Sequence, residues 1–138
     1  MPADSTAGLI PHFNHSPFFQ LLGLVVEEAR PGYARLSCQA RAELVHDGGI
    51  LQGGVTATLA DIAAVMGILS EEPPPAHVAT VQLQINYLRP VGEGDLLLAT
   101  AVILQRGKRL AFADVNVANS RSGELVAKAS VTCSVGQP

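Results

Sequence analysis

The alternation of hydrophobic and polar residues divides the chain into one long helix and a series of strands. The stretch "GGVTATLADIAAVMGIL", residues 53–69, is apolar at most positions and predicts a buried helix. The following "EEPPPA" ends that helix, because consecutive prolines cannot continue it. A shorter run, "SPFFQLLGL", predicts an N-terminal helix that stops at Gly23. Residues 42–52 form a mostly polar stretch with glycines and predict a loop before the long helix.

The remaining periodic segments predict strands. The runs "LVVEEA" and "YARLSCQA", separated by the turn signal "RPG", predict a hairpin. The stretch "TVQLQINYL" alternates strictly, which places Thr80 with Gln82 on the polar face, away from the helix unless the strand bulges. Short turns link it to "DLLLATAVILQ", "RLAFADVNVANS" and "ELVAKASVTCSV" and predict an antiparallel meander. The pattern predicts an α+β fold, with one long helix against an antiparallel sheet of five to six strands.

The long helix has two different faces when its residues are spaced at 100°. One stripe consists of large apolar residues: Val55, Leu59, Ile62, Met66 and Leu69. The other side consists mostly of small residues: Ala57, Ala60, Ala63, Ala64 and Gly67. We expect the curved sheet to cover the stripe of large residues. We expect the small residues to let another backbone come close, for which a second subunit is the natural candidate.

Composition and charge narrow the classes of function. A chain of 138 residues with 48% hydrophobic and 15% charged residues predicts a single globular domain over residues 1–138, with a mobile N-terminus over residues 1–16. The net charge of -3 offers no general attraction to nucleic acid or to an anionic membrane. No signal-peptide pattern and no apolar run of membrane-spanning length is found. These features predict a cytoplasmic protein.

The reactive residues match no metal-binding or cofactor-binding pattern. Cys38 and Cys133 lack metal-type spacing and fall in strand-like segments, which predicts buried free thiols. The four histidines show no metal-ligand spacing, and the glycines match no phosphate-binding loop. We therefore expect neither a metal nor a cofactor.

Asp61 is an acid inside the predicted apolar helix, about two turns after its start. It lies too deep to cap its own helix, and no Lys or Arg stands three or four residues away. An unpaired buried carboxylate costs several kcal/mol or takes up a proton. A structural Asp with a partner elsewhere in the fold is one interpretation. A chemical role is favoured, because perturbed acids cluster at functional sites.

Gly53 and Gly54 begin the same helix. The first turn of a helix presents unpaired N–H groups and the positive end of the helix dipole, and glycine lets a substrate approach that backbone. Taken alone, the two glycines are explained equally well by a turn or by packing. Together with Asp61 they predict an acyl-transfer site, with N–H donors for an oxyanion and the acid as base or nucleophile.

These residues belong to a longer pattern that resembles a known family. The stretch "GGILQGGVTATLADIAAVMG", the later "NYLRP" and the "GK" turn are similar to the hotdog-fold acyl-CoA thioesterases of the phenylacetyl-CoA thioesterase type. The family pattern is Asn-x-x-Gly-x-x-His-Gly-Gly followed by an Asp or Glu on the helix, and the similarity covers residues 19–135. The resemblance implies a hotdog fold, an acyl-CoA substrate and a homo-oligomer. It also implies active sites at a dimer interface, in a dimer or a dimer of dimers (a homotetramer).

The resemblance also assigns catalytic roles by position. Asp61 corresponds to the carboxylate that activates water or attacks the thioester carbonyl, and Gly53 to the glycine whose N–H polarises that carbonyl. Thr80 corresponds to a Ser or Thr that orients the water. His46 stands where the family has Asn, and Gln52 stands where it has His. The Gln52 amide retains a donor for a carbonyl, and His46 introduces a group that titrates.

Binding of CoA phosphates calls for basic residues at the rim of the site. Substrate binding is accordingly assigned to five residues: Gly54, Arg89, Arg106, Lys108 and Arg109. As an equally simple interpretation, each of these basic residues is a solvated turn residue.

The sequence predicts an acyl-CoA thioesterase that hydrolyses an aryl- or aliphatic acyl-CoA to the free acid and CoA. The alternative is a non-catalytic acyl-CoA binding protein on the same fold, because His46 and Gln52 replace two family residues. A hotdog dehydratase would need a histidine base, and the spacing of His46 to the helix fits that role poorly.

Overall fold

The computed structural model describes residues 5–136. Within them, three α-helices and one short 3-10 helix accompany six β-strands. In chain order the elements are α1 (Ser5–Asn14), α2 (Pro17–Leu22), β1 (Leu24–Arg30), β2 (Tyr33–Gln39), the 3-10 helix (Ala42–Leu44), α3 (Gly53–Leu69), β3 (Val78–Tyr87), β4 (Leu96–Arg106), β5 (Leu110–Asn119) and β6 (Leu125–Val135).

The short helix α2 and the long helix α3 were predicted, and α3 has the predicted bounds. The hydroxyl of Ser16 caps α2 by accepting a hydrogen bond from the backbone N–H of Phe19 at 3.3 Å. Gly23 ends α2 with a φ of 73°, in the left-handed region that glycine adopts without strain. The long helix ends at Leu69, with Ser70 as its C-terminal cap, before the prolines.

The first helix, α1, was not predicted from the sequence. It falls in the segment expected to form a mobile N-terminus, of which residues 1–4 lie outside the described residues. Its sequence contains Pro11 and shows little apolar periodicity. The Asn14 side chain accepts from the N–H of Val26 at 2.7 Å and donates to the carbonyl of Val26 at 3.3 Å. These two bonds attach the end of α1 to β1.

The six strands form one antiparallel sheet in the order β1-β2-β4-β5-β6-β3. The predicted hairpin of β1 and β2 and the predicted meander of β4, β5 and β6 are confirmed. The meander is wrong for β3, which pairs with β6 at the edge, while the chain crosses over so that β4 lies beside β2. The alternation of polar residues along a strand does not specify which strand lies beside it. Residues 88–95, between β3 and β4, form the crossover. The helix α3 contacts all six strands, so the sheet curves around it.

The face of α3 that packs on this sheet is the one with small residues. Ala60, Ala63 and Ala64 are fully buried. At Gly67 the sheet comes so close that a Cβ would lie 3.2 Å from the Cδ1 of Ile103. The prediction that the small face receives a second subunit is therefore wrong, because the chain's own sheet occupies it.

The stripe of large residues on α3 is covered only in part. Leu59 and Met66 are buried, as predicted. The remaining part of the helix surface, which we call the exposed arc, carries four apolar residues that are only half-buried: Val55, Ile62, Val65 and Leu69. This arc faces away from the sheet and is the apolar surface of α3 that remains for a partner.

The buried cysteines were also predicted correctly. Cys38 in β2 and Cys133 in β6 are both buried, and neither forms a disulfide. None of the helices in residues 5–136 is long and apolar enough to cross a membrane.

The close packing at Gly67 generates a stability prediction. We expect Gly67→Val to lower the free energy of unfolding by about 1–3 kcal/mol, because the new side chain must displace Ile103. Gly8→Val is the matched control, since a Cβ at Gly8 meets nothing within 4 Å, and we expect a change of about 0.5 kcal/mol or less. Denaturant unfolding measures both variants. Equal effects would contradict the close packing.

Candidate active site

Asp61 lies at the boundary between the buried and exposed arcs of α3, where Thr80 of β3 faces it. The Thr80 hydroxyl donates a hydrogen bond to Oδ1 of Asp61 at 2.7 Å. The carboxylate is half-buried, and within the described residues its Oδ2 accepts no hydrogen bond. Asp61 is thus held by a hydroxyl and not by a base, with one oxygen available for chemistry.

A β-bulge turns Thr80 towards the helix. Thr80 pairs with Cys133, but Gln82 pairs with Thr132, so Val81 is an extra residue in β3. The side chain of Val81 is 59% exposed at the sheet edge. The alternation that placed Thr80 on the polar face is therefore wrong, because one extra residue reverses the faces on either side of it.

Cys133 lies directly behind Thr80, and sequence reasoning did not assign it to the site. It is fully buried, and its Sγ lies 3.8 Å from the Oγ1 of Thr80. Burial raises the pKa of the Cys133 thiol, the hydrogen bond with Thr80 lowers it, and the charge of Asp61 raises it again. The net rise keeps the thiol protonated at neutral pH. We refer to Asp61, Thr80 and Cys133 as the Asp61 cluster.

A second group of residues lies at the start of α3. The Tyr87 hydroxyl donates to the carbonyl of Gly53 at 2.7 Å, and a Cβ at Gly53 would lie 3.2 Å from the Tyr87 ring. Only glycine fits beneath that ring without displacing it. Burial raises the pKa of Tyr87, so its hydroxyl remains a donor at neutral pH. The N–H groups of Gly53 and Gly54 precede the first intrahelical bond and form the donor end of the helix.

A pocket of about 310 Å³ opens beside Gly53 and Tyr87. This volume is at the lower end of the range for small-molecule sites. The polar side chains in the wall of this pocket are those of Thr56, Tyr87 and Arg89. The rest of the wall is apolar and consists of Ile50, Leu51, Leu88, Pro90, Val91 and Val126. We refer to Gly53, Tyr87 and this cavity as the glycine pocket.

His46 and Gln52, which replace two family residues, are both exposed in the segment before α3. The Gly48 N–H donates to Nδ1 of His46 at 2.9 Å, so neutral His46 carries its proton on Nε2. Gly49 closes the same turn with a φ of 79°. Gln52 precedes the first residue of α3, and its side chain makes no cap hydrogen bond. Among the residues described, neither side chain bonds to the Asp61 cluster or the glycine pocket.

Arg89 is the only predicted phosphate-binding residue that lines the glycine pocket as the structure describes it. Its Nε lies 2.7 Å from the carboxylate of Glu124, and its guanidinium also donates to the carbonyl of Leu125 at 2.9 Å. Both side chains of the ion pair are about half exposed, so the pair contributes little to stability.

The other predicted basic residues lie near the opposite end of α3. Arg106 ends β4, and its guanidinium donates to the carbonyl of Pro73, which follows the C-terminus of α3. Lys108 and Arg109 are exposed in the turn between β4 and β5. The single chain therefore does not bring the four basic residues into one cluster.

The Asp61 cluster and the glycine pocket are separated along the helix. Gly53 and Asp61 are eight residues apart in α3. With a rise of 1.5 Å per residue, this separation is about 12 Å along the axis. One thioester carbonyl cannot contact both groups within a single chain. Within the described residues no group of three or more His, Cys, Asp or Glu side chains is arranged to hold a metal ion.

Comparisons with known proteins place the chain in a family. Residues 48–131 match the sequence profile of the thioesterase superfamily. Human acyl-coenzyme A thioesterase 13 is 34% identical over 122 residues, which cover 86% of this chain and 85% of that protein. The chain belongs to the thioesterase superfamily.

Solved structures agree with this assignment. The zebrafish thioesterase superfamily member 2 superimposes with a TM-score of 0.84 and 29% identity, over 99% of both chains. A mutant of the phenylacetic acid degradation protein PaaI from Thermus thermophilus superimposes with a TM-score of 0.79 and 29% identity, over 86% of this chain and 98% of that one. The predicted hotdog fold and the predicted family are confirmed.

Proposed function

We propose that the protein hydrolyses acyl-CoA thioesters to a free acid and CoA, with Asp61 as the catalytic carboxylate. The observation that carries this proposal is the 2.7 Å hydrogen bond from Thr80 to Asp61, which presents a carboxylate on the central helix of a thioesterase-superfamily chain. The name of the human relative, an acyl-coenzyme A thioesterase, supports the choice of substrate.

The proposed reaction begins when the thioester carbonyl binds the backbone N–H of Gly53. Attack on the carbonyl carbon places negative charge on its oxygen, which this N–H and the helix dipole stabilise. Asp61 removes a proton from the attacking water, with Thr80 orienting the carboxylate, or attacks the carbon itself to form an anhydride that water then hydrolyses. In both routes the C–S bond breaks, and the CoA sulfur leaves with its electron pair and is protonated. The Gln52 amide is a further donor to the carbonyl.

A complete site in this proposal requires two copies of the chain. Gly53 and Asp61 of one chain stay about 12 Å apart along α3. When two α3 helices lie antiparallel, the start of one helix approaches the middle of the other, so that Gly53 of one chain comes close to Asp61 of the second. The half-buried apolar arc of α3 and the exposed edge strand β3 with Val81 provide the surface for this contact. Gly53 of one protomer then acts with Asp61 of its partner.

A dimer of dimers is the larger assembly that we propose. The face of the sheet opposite α3 exposes four large apolar side chains on β4 and β5: Val102, Leu104, Leu110 and Phe112. Exposed apolar patches of this kind are typical of contacts between subunits.

The glycine pocket is proposed to hold the acyl group, because its wall is mainly apolar. Its size suits an aryl group or an aliphatic chain of moderate length. We assign Gly54 to substrate binding through its backbone N–H, and Arg89, Arg106, Lys108 and Arg109 to the CoA phosphates. The buried free thiols of Cys38 and Cys133 support a cytoplasmic location, where thiols stay reduced.

The first prediction concerns the catalytic carboxylate. We expect Asp61→Asn to lower kcat by at least about 100-fold while the fold is kept, because the amide neither accepts a proton nor attacks a carbonyl. Asp114→Asn is the matched control, since Asp114 pairs with Lys128 on the opposite face of the sheet. Its kcat should stay within about twofold of wild type. Release of free thiol from acyl-CoA gives the rates, and near-normal turnover of Asp61→Asn would refute the assignment.

The shared site predicts complementation between two inactive variants. Gly53→Pro removes the N–H donor, and the extended backbone of Gln52 suits a following proline at the first helical position. The added Cβ also displaces the Tyr87 ring of the same subunit, which leaves the intact site of the mixed dimer unaffected. An equal mixture of Gly53→Pro and Asp61→Asn subunits should recover about a quarter of wild-type activity, because half of the dimers then hold one intact site. Co-expression with two affinity tags measures this recovery. A mixture as inactive as each variant alone would place the site within one chain.

A panel of substrates separates the enzyme from a binding protein. The binding alternative is favoured by one observation, the exposure of His46 and Gln52 without contact to the other predicted site residues. We expect thiol release from aryl-, short-chain or long-chain acyl-CoA that is lost in Asp61→Asn. Tight binding of the panel without release would establish the non-catalytic acyl-CoA binding protein.

A further inference from the structure

The Asp61 cluster forms a continuous line of polar atoms from the core to the helix surface. Thr80 and Cys133 are paired residues in the β3–β6 ladder, and both side chains face α3. The Sγ of Cys133 lies 3.8 Å from the Oγ1 of Thr80, which lies 2.7 Å from the Oδ1 of Asp61. The bulge at Val81 produces this alignment, because it turns Thr80 inward at the position opposite Cys133.

The chemistry of the three groups fixes the direction of both hydrogen bonds. An ionised carboxylate only accepts, so the single proton of the Thr80 hydroxyl is used in the bond to Asp61. The remaining contact of Oγ1 therefore needs a donor, and the Cys133 thiol is the group within reach. Burial, together with the charge of Asp61, outweighs the lowering by Thr80 and raises the pKa of this thiol, so the thiol keeps a proton to donate.

We propose that Cys133 is a positioning residue for the reaction described above. Its S–H donates to Oγ1 of Thr80 and so keeps the Thr80 O–H pointing at Oδ1 of Asp61. This leaves Oδ2 directed at the substrate. Successive hydrogen bonds also polarise one another, so the thiol strengthens the bond between Thr80 and Asp61. The role in catalysis rests on the proposed function, whereas the arrangement of the three groups does not.

Kinetics of Cys133 variants test the role in catalysis. A hydrogen bond of about 1 kcal/mol corresponds to a several-fold rate effect, so we expect Cys133→Ala to lower kcat by about three- to tenfold, with KM within about twofold of wild type. Cys133→Ser keeps a donor of similar size and should return kcat to within about twofold of wild type. A Cys133→Ala enzyme with normal kcat, or a Cys133→Ser enzyme as slow as Cys133→Ala, would overturn the proposal.

Cys38 provides a matched control for the loss of a buried thiol. It is as buried as Cys133, but its Sγ contacts the carbonyl of Leu22 at 3.6 Å and not the site. Cys38→Ala should therefore destabilise the protein without changing kcat at temperatures well below unfolding. Equal losses of kcat in Cys38→Ala and Cys133→Ala would show a general effect of core truncation and would overturn the positioning role.

Infrared spectroscopy tests the hydrogen bond without reference to activity. In a Cys38→Ala background the S–H stretching band reports Cys133 alone. We expect Thr80→Val to shift this band to higher frequency, because valine has a similar shape and no acceptor. An unchanged band would refute the proposed bond. A shift together with normal kcat in Cys133→Ala would also reject the positioning role. Normal turnover of Asp61→Asn would instead remove the proposed function and leave the bond intact.

Discussion

The structure depends on the close approach of α3 to the sheet. Ala60, Ala63 and Ala64 are fully buried there, and Gly67 leaves just enough space for Ile103. Larger residues on this face would lift the helix away from the strands, since protein interiors have few voids and little tolerance for added volume. The depth of the helix brings Asp61 within hydrogen-bond distance of β3. It also leaves the half-buried apolar arc on the outside.

Apart from α1 and the short 3-10 helix, the elements were predictable from the sequence, but the way in which they face each other was not. Periodicity identifies residues that share a side of a helix, so the bounds of α3 and its two faces were found. Periodicity does not state which side meets the sheet. The larger residues were expected to be buried there, whereas the small face around Gly67 packs more closely. The position of β3 beside β6 was missed for a similar reason, because pairing is a property of two strands and not of one.

The site shows the same division between local pattern and tertiary contact. The composition of α3 marked Asp61 as a candidate, because an acid in an apolar helix is unusual, and it marked Gly53 only in combination with that acid. Thr80 came from the family resemblance, since the extra residue at Val81 leaves no trace in a strand that alternates regularly. Cys133 was missed because a single cysteine in an apolar strand has the same pattern as any core residue.

The contact between Tyr87 and Gly53 has a consequence for the evolution and engineering of this protein. The ring forms part of the cavity wall, and its hydroxyl holds the peptide that begins the helix. The shape of the cavity proposed to bind the acyl group and the position of Gly53, the proposed donor, therefore both depend on one side chain. A substitution of Tyr87 that enlarges the cavity also removes the hydrogen bond that holds the Gly53 carbonyl, and so loosens the residue whose N–H is the proposed donor. In the proposed reaction, substrate range and reaction rate are thus coupled, and a change in one requires compensation elsewhere at the start of α3.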